Sequence, residues 1–411
     1  MRNDLKELMQ AANLDALLIT GPAQHNPPMT YFTGLVHVTS ANLIYPLEGE
    51  PVLFFRSMER DGAAATGFKL KNYEDYDTRA LLKESGGDFI KAQALRYKRM
   101  LTEYNVQGRV GIYGRVELGE NFAVLRELQK ILPEIELVGE SNFSSVLIKA
   151  RTTKDAAEID QIQQMGKITV EVFGRVQELL AGSTVHAEKL LQADGNPLTI
   201  ADVKQKINFW LAEMGAENPE GTIFAQGRDA GVPHNNGTDT DILQLGKSII
   251  FDLFPCQAGG GYFYDCTRTW CLGYAPDEVL EIYENVSEVY DKLYQALKLD
   301  APFRDYQQMT CNLFEAQGHA TIQQDPKLEA GYVHSLGHGV GLDVHETPYA
   351  KDDDSNTDLL LAGSVFAIEP GLYYPEKGYG VRLEDTLAAR ADGSFEILAD
   401  FPKDLIVKMK T

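Results

Sequence analysis

The chain has 411 residues, 44% of them apolar and 24% charged, with a formal net charge of −22. At roughly 100–200 residues per domain this length corresponds to about two to three domains, and so acidic a balance excludes a nucleic-acid backbone or an anionic membrane as the natural partner. No apolar run approaches the ~18 residues of a membrane span. The opening MRNDLKELMQ lacks the apolar segment of a signal peptide. The four cysteines, Cys256, Cys266, Cys271 and Cys311, form no CxxC pair, so neither a disulfide scaffold nor a cysteine zinc site is expected. The thiols read as reduced and the protein as cytoplasmic.

In chain order, NDLKELMQAA reads as a helix, DALLIT and PVLFF as strands, and Asp88–Leu101 as a longer helix. The strand RVGIYG and the helix ENFAVLRELQKIL follow. Alternation of this kind predicts an α/β domain, without a nucleotide-binding glycine signature. The short polar stretch Ser141–Ser145 is taken as its end, giving domains 1–145 and 146–411. The second domain opens with a long helix, in which Ile159, Ile162, Met165, Ile168, Val172, Val176 and Leu179 recur at helical spacing. Thr152 and Asp155 have capping-box spacing ahead of it, and Gly182 is a stop signal. Thr199 and Asp202 have the same spacing at a second helix, Ile200–Met214. Pro276 suits the first turn of a third, and Asp305–Gln317 is a fourth. SIIFDLF, YFYDCTRTW, SVFAIEPGLYY and GYGVRLEDT read as strands. Helices segregated from hairpins predict an α+β domain.

Four of these strand runs carry an acid. SIIFDLF is apolar on both faces apart from Asp252, and an ionised carboxylate there is costly unless paired or metal-bound. A hairpin turning between Ala258 and Gly259, in QAGGG, would set Asp252 opposite Asp265. A second, turning between Glu376 and Lys377 in PEKG, would set Glu369 opposite Glu384. Opposed side chains have Cβ atoms roughly 4.5–5.5 Å apart, and bare carboxylates that close repel. Two divalent cations would supply the missing charge. His338, in HSLGHGVGLDVHE, adds a neutral imidazole, and Gly337, Gly339 and Gly341 permit close backbone approach. Oxygen ligands with one nitrogen suit manganese, cobalt, iron or zinc.

The order Asp252, Asp265, His338, Glu369, Glu384 resembles the ligand signature of the pita-bread metallopeptidases: prolidase, aminopeptidase P and methionine aminopeptidase. YDCTRTWCLG, HSLGHGVGLDVHE, AIEPGLY and GVRLEDT resemble the family's ligand segments, and IKARTTKDAAEI the usual opening of its catalytic domain. The likeness spans roughly Leu147–Ala389. The first domain, through MTYFTG, more weakly resembles the creatinase/prolidase N-terminal domain. The resemblance implies a pita-bread catalytic domain with two divalent metal ions, manganese first. Asp252 would bind one ion, His338 and Glu369 the other, and Asp265 and Glu384 both. A metal-bridging water or hydroxide would be the nucleophile, with Glu369 handling its proton. His334 and His345 would serve the carbonyl or its oxyanion, and His234 in GVPHNNG would line the substrate site. Arg382 would hold a substrate carboxylate or carbonyl, or a neighbouring acid.

The implied activity is hydrolysis of Xaa-Pro bonds, as a dipeptidase or an aminopeptidase, by a cytoplasmic homodimer. The substrate would be a small peptide with proline second; no nucleic acid or membrane partner is expected. Phe254 stands where the family carries glycine, and DLFPCQAGGGYFYD is longer than the usual turn. That departure keeps a metal-dependent lyase or C–N hydrolase as the alternative, with a non-enzymatic binding homologue behind it. Phe254 and Tyr262 are candidates for an apolar wall. His25, His37, His186 and His319 are expected to be structural or exposed.

Overall fold

The computed structural model describes residues 4–141, 143 and 145–410. The chain divides into two compact units, one of residues 1–151 with 259–261, the other of residues 152–258 and 262–411. The division falls after Arg151, beyond the polar stretch expected to end the first domain. Asn142 and Ser144 of that stretch lie outside the described residues.

The first unit is built on β1 (Ala16–Gly21), β2 (Ala41–Pro46), β3 (Val52–Phe55), β4 (Lys69–Asn72), β5 (Gly108–Tyr113) and β6 (Ile135–Val138). They form one mixed sheet in the order β4-β3-β2-β1-β5-β6. Alternate residues feed two separate cores, as the period of two requires. Leu18, Ile44 and Phe54 pack with Tyr97, Met100 and Leu128 of the helices Phe89–Glu103 and Leu118–Ile131. Leu17, Leu43 and Leu53 pack on the other face with Met9 and Met29. Both faces are covered, so the α/β expectation is met.

In the second unit β7 (Thr184–His186) and β8 (Lys189–Leu191) form a small hairpin, and β9 (Ala216–Glu217) is a short strand. Then follow β10 (Thr222–Gln226), β11 (Ser248–Leu253), β12 (Cys256–Gln257), β13 (Cys266–Leu272), β14 (Gly337–Gly339) and β15 (Glu346–Tyr349). The last are β16 (Val365–Ile368), β17 (Gly371–Tyr374), β18 (Tyr379–Arg382), β19 (Asp385–Ala389), β20 (Phe395–Ile397) and β21 (Ile406–Val407). One sheet runs β10-β11-β13-β21, another β15-β14-β16-β19-β20. A bridge from Thr267 to Glu384 joins them.

Four long helices back these sheets: Ala156–Ala181, Ile200–Glu213, Asp277–Ala296 and Phe303–Ala316. Phe173 of the first stacks on Phe251 of β11 with centroids 4.1 Å apart and meets Trp270 of β13 edge-on. Its cap is a capping box of Asp155 with Glu158, not Thr152 with Asp155. Thr152 lies inside the short helix Val146–Thr152, whereas Asp155 stands directly before Ala156 with the extended backbone a cap needs. Thr199 and Asp202 do form the expected box. The four cysteines are buried and unbridged. Among the described residues no helix is long and apolar enough to cross a membrane.

Candidate active site

Asp252 sits one residue before the end of β11, in a fully buried strand whose only other polar residue is Ser248 at its start. It pairs with Thr267 of β13, not with Asp265. The connection is no tight turn. After Leu253 the chain leaves the ladder, Cys256–Gln257 pair with β9, and Cys256 bridges Phe263. The ladder resumes only at Cys266. The slip from the expected register is two residues, which preserves facing. Asp265 therefore still lies on Asp252's side of the sheet, diagonally placed and just outside the strand.

The second hairpin keeps the expected register. Ile368 pairs with Asp385 on one side of the glutamates, and Gly371 with Arg382 on the other. The turn is Pro375–Lys377, closed by Gly378 at φ 82°. Between the two ladders Glu369 and Glu384 leave their mutual pairing. The Glu369 amide donates to the Leu336 carbonyl oxygen (2.8 Å), and the Glu384 amide to that of Thr267 (3.1 Å). Asp252, Thr267 and Glu384 thus stand in one row across three strands.

His338 lies in β14, opposite Ala367 of β16 and Tyr349 of β15. A Cβ on Gly337 would stand 2.0 Å from the Ala367 carbonyl oxygen, and one on Gly339 2.2 Å from that of Thr347. These glycines let three strands close around the histidine. Its Nδ1 donates to the Gly339 carbonyl oxygen (3.1 Å), leaving the Nε2 lone pair toward the acids. Nε2 is 3.6 Å from Asp265 Oδ2 and 3.7 Å from Glu369 Oε1.

Ligand atoms of Asp265, His338 and Glu384 lie within 4.8 Å of one another. Asp252 Oδ1, Asp265 Oδ1 and Glu384 Oε1 are buried without a hydrogen-bond partner. Such oxygens are costly unless something cationic meets them. Burial, with the neighbouring carboxylates, holds Asp265 and Glu384 well above the usual carboxylate range. Burial pushes Glu369 up to about 8 and His338 down to about 3. Repelled acids beside a neutral imidazole are the electrostatic signature of a cation site.

Arg382 is buried beneath the acids. Its Nη2 donates to Asp252 Oδ2 (2.5 Å), Nε to Thr267 Oγ1 (3.2 Å), and Nη1 to the Pro233 carbonyl oxygen (3.2 Å) and Tyr373 Oη (2.9 Å). With these contacts made inside the fold, its guanidinium clamps Asp252. Tyr373 in turn hydrogen-bonds His334 Nε2 (2.8 Å). Burial, with Arg382, pushes His334 down to about 3, so it stays neutral, its Nδ1 lying 4.0 Å from Glu369. His345 is exposed on one side and meets His338 edge-on, centroids 4.2 Å apart. Desolvation by the cleft lowers its pKa. His234 is exposed on the loop whose Pro233 Arg382 holds, close enough to act electrostatically on His334 and His345.

Below Glu384, Arg268 is fully buried and donates to the Glu384 carbonyl oxygen (2.7 Å) and to Asp385 Oδ1 (2.7 Å). Phe254 is half-buried in a small cluster with Ile223, Ala230, Val333 and Tyr373. Tyr262 gives its hydroxyl to Glu158 Oε1 (2.7 Å). His25, His37 and His186 are exposed, and His319 is hydrogen-bonded to Asn285 and Tyr374.

Sequence reasoning missed Thr267, Tyr373 and Arg268. Thr267 and Arg268 were visible as the polar residues of DCTRTW, a run otherwise fit for burial. Nothing in GLYY separates Tyr373 from its neighbours.

A cage of buried acids around one neutral histidine, carried by two hairpins that meet edge to edge, defines the catalytic unit of a pita-bread metallopeptidase. Residues 160–391 match the model of Metallopeptidase family M24, and residues 1–151 that of the Creatinase/Prolidase N-terminal domain. The chain belongs to metallopeptidase family M24, whose chemistry uses divalent metal ions. It is 30% identical over 286 residues to the Xaa-Pro dipeptidase of Pyrococcus horikoshii, spanning 67% of this chain and 76% of that protein. It is 32% identical over 288 residues to the Xaa-Pro dipeptidase of Pyrococcus furiosus, spanning 66% and 76%. In fold it is similar to the X-Pro aminopeptidase from Thermotoga maritima MSB8, with a TM-score of 0.73 at 22% identity over 97% of this chain and 99% of that one.

Proposed function

We propose that the protein is a dinuclear Xaa-Pro peptidase that takes small peptides with proline in the second position, and that dipeptides are its preferred substrates. The observation that carries this reading is the set of orphaned buried oxygens on Asp252, Asp265 and Glu384, gathered around the Nε2 face of His338. Asp252, Asp265, His338, Glu369 and Glu384 would hold two divalent ions, manganese first, with cobalt, zinc or iron as alternatives. Such ions would lower the pKa of a bound water and polarise the scissile carbonyl.

The protein's own groups do the rest. Glu369, whose carboxylate lies 3.7 Å from His338 Nε2, would take a proton and pass it to the leaving nitrogen. The neutral ring of His345 is placed to donate to the carbonyl oxygen as charge develops on it. His334 keeps no N–H for that role, because its Nδ1 donates to the Ser335 carbonyl oxygen (2.8 Å) and its Nε2 meets the Tyr373 hydroxyl. His234 borders the same space. Arg382 fixes Asp252 and, through Tyr373, His334. The bond before proline has no N–H, and a site that grips the carbonyl side does not need one. The names of the relatives at 30% and 32% identity support the dipeptidase choice.

The test strips the protein of metal, restores manganese, cobalt or zinc, and measures kcat/KM for Ala-Pro, Ala-Pro-Ala and the proline-free Ala-Ala. Metal-dependent cleavage of Ala-Pro with little on Ala-Ala is expected. A strong preference for Ala-Pro-Ala would make it an aminopeptidase. Inactivity on all three with both ions bound would shift the substrate to a non-peptide C–N bond or a lyase reaction, which the altered Phe254–Pro255 corner favours.

A further inference from the structure

Lys154 Nζ lies 2.6 Å from Glu346 Oε1, and both side chains are 2% exposed. A pair this buried gains little over apolar side chains of the same volume, so stability alone does not explain it. Lys154 is itself a fixed point. Its amide donates to the Gly363 carbonyl oxygen (2.7 Å), Thr153 bridges Ser364, and Thr152 and Thr347 share a hydroxyl hydrogen bond (2.6 Å). Glu346 opens β15 opposite Gly339, and the register slips between Gly339 and His338. The loop of residues 340–345 is therefore set by where Glu346 is held. Its carboxylate fills the space over Gly341, where a Cβ would stand 2.2 Å from Oε1. The Gly341 carbonyl oxygen accepts from the Phe263 amide (2.8 Å), on the approach to Asp265. Residues 341–345 are a run of bends that ends where Glu346 enters β15. Holding Glu346 on Lys154 therefore anchors the end of the loop that carries His345, which meets His338 edge-on.

We infer that the Lys154–Glu346 pair is a positioning device for His345: it sets the angle at which that imidazole meets the substrate carbonyl. The inference rests on the role proposed above for His345. It also accounts for Gly341, for Glu346 following His345, and for the lysine in the segment that leads into the catalytic helix.

The experiment is a cycle. Lys154→Met/Glu346→Leu is made in the wild-type and in the His345→Ala chain, both loaded with manganese. Kinetics on Ala-Pro and Ala-Pro-Ala, metal content, melting temperature and histidine side-chain NMR of the metal-free protein are measured. In the wild-type background kcat should fall about 10–100-fold, the usual cost of removing a group that orients a site residue, with a smaller change in KM and metal content retained. The His345 ring signals should move and those of His334 stay. In the His345→Ala background the same two substitutions should cost nothing further. A full additional loss there, or an unchanged kcat in the first background, overturns the inference. If the double variant does not fold, Glu346→Gln is taken through the same cycle, and wild-type turnover in that variant is equally fatal. An inactive wild-type enzyme overturns the proposed function instead, and the NMR comparison then still decides whether the pair orients His345.

Discussion

Between Leu253 and Cys266 the chain leaves its ladder, pairs with β9 and returns two residues away from the simplest register. Between Ile368 and Asp385 it holds one register through a change of sheet. The first hairpin places one acid inside a strand and the other at a strand's mouth. The second places both glutamates where ladder pairing lapses. The difference teaches that local turn chemistry did not have to be the same twice. Both arrangements needed only to keep the acids on one face, and a slip of two residues does that while a slip of one would not. Thr267 is the meeting point. It pairs with Asp252 in the first hairpin, bridges Glu384 in the second, and gives its hydroxyl to Glu384 Oε2 (2.7 Å).

The comparison can be broken hardest at Glu384, where the hairpins join. Glu384→Gln removes a charge from the centre of the cage, and turnover should fall by at least the ~10²–10³-fold seen when one electrostatic partner of a reaction is lost. Elemental analysis should show metal lost with it. Near-normal kcat with full metal content would mean the second hairpin does not hold an ion through this residue.

Next in size is His345→Ala. Loss of one donor to the developing oxyanion costs roughly 2.7–4 kcal/mol of barrier, so kcat should drop while both ions stay bound. If metal is lost instead, His345 is a ligand and the β14–β15 loop belongs to the cage itself. Thr267→Val sharpens the account of the meeting point. It keeps the strand's shape but deletes the hydroxyl shared by Glu384 and Arg382. Metal affinity should weaken about 10–100-fold, as for other groups that orient ligands, and titration with manganese measures it.

The smallest effect expected is in the pH dependence of the metal-free protein. Glu369 rises from 4.5 to about 8 on folding, and Asp265 and Glu384 rise well above the usual range. A raised folded pKa means the native state holds more protons than the unfolded chain, so this contribution to stability is present at low pH and lost as pH rises through the folded pKa. The buried histidines act with the opposite sign, but only below their ordinary value of 6.5. From pH 6.5 to 8.5, then, the melting temperature of the metal-free protein should decline, and the gain on adding manganese should grow. A flat profile would show that burial does not hold these carboxyls protonated, and with it the desolvation ascribed to the meeting of the two hairpins would go.

Much of this was legible in the chain itself. The helices, most strands and the buried acids that meet His338 were visible because a carboxylate in an apolar strand, or a histidine among glycines, is expensive enough to need a reason. The second hairpin's register could be read because PEKG really is its turn. The first could not, since QAGGG looks like a tight turn and only the pairing of β12 with β9, a partner some forty residues earlier, shows the ladder ending at Leu253. The cap at Asp155 rather than Thr152 was settled the same way, by where the backbone turned. Arg382 could be placed beside Glu384 by alternation, but whether its donors faced a substrate or Asp252 depended on Pro233 and Tyr373, far apart in sequence. Composition and period report which residues must be buried and which face they share. Which polar group meets which is decided by strands from distant parts of the chain, because each buried donor and acceptor must find its partner wherever the fold brings one within reach.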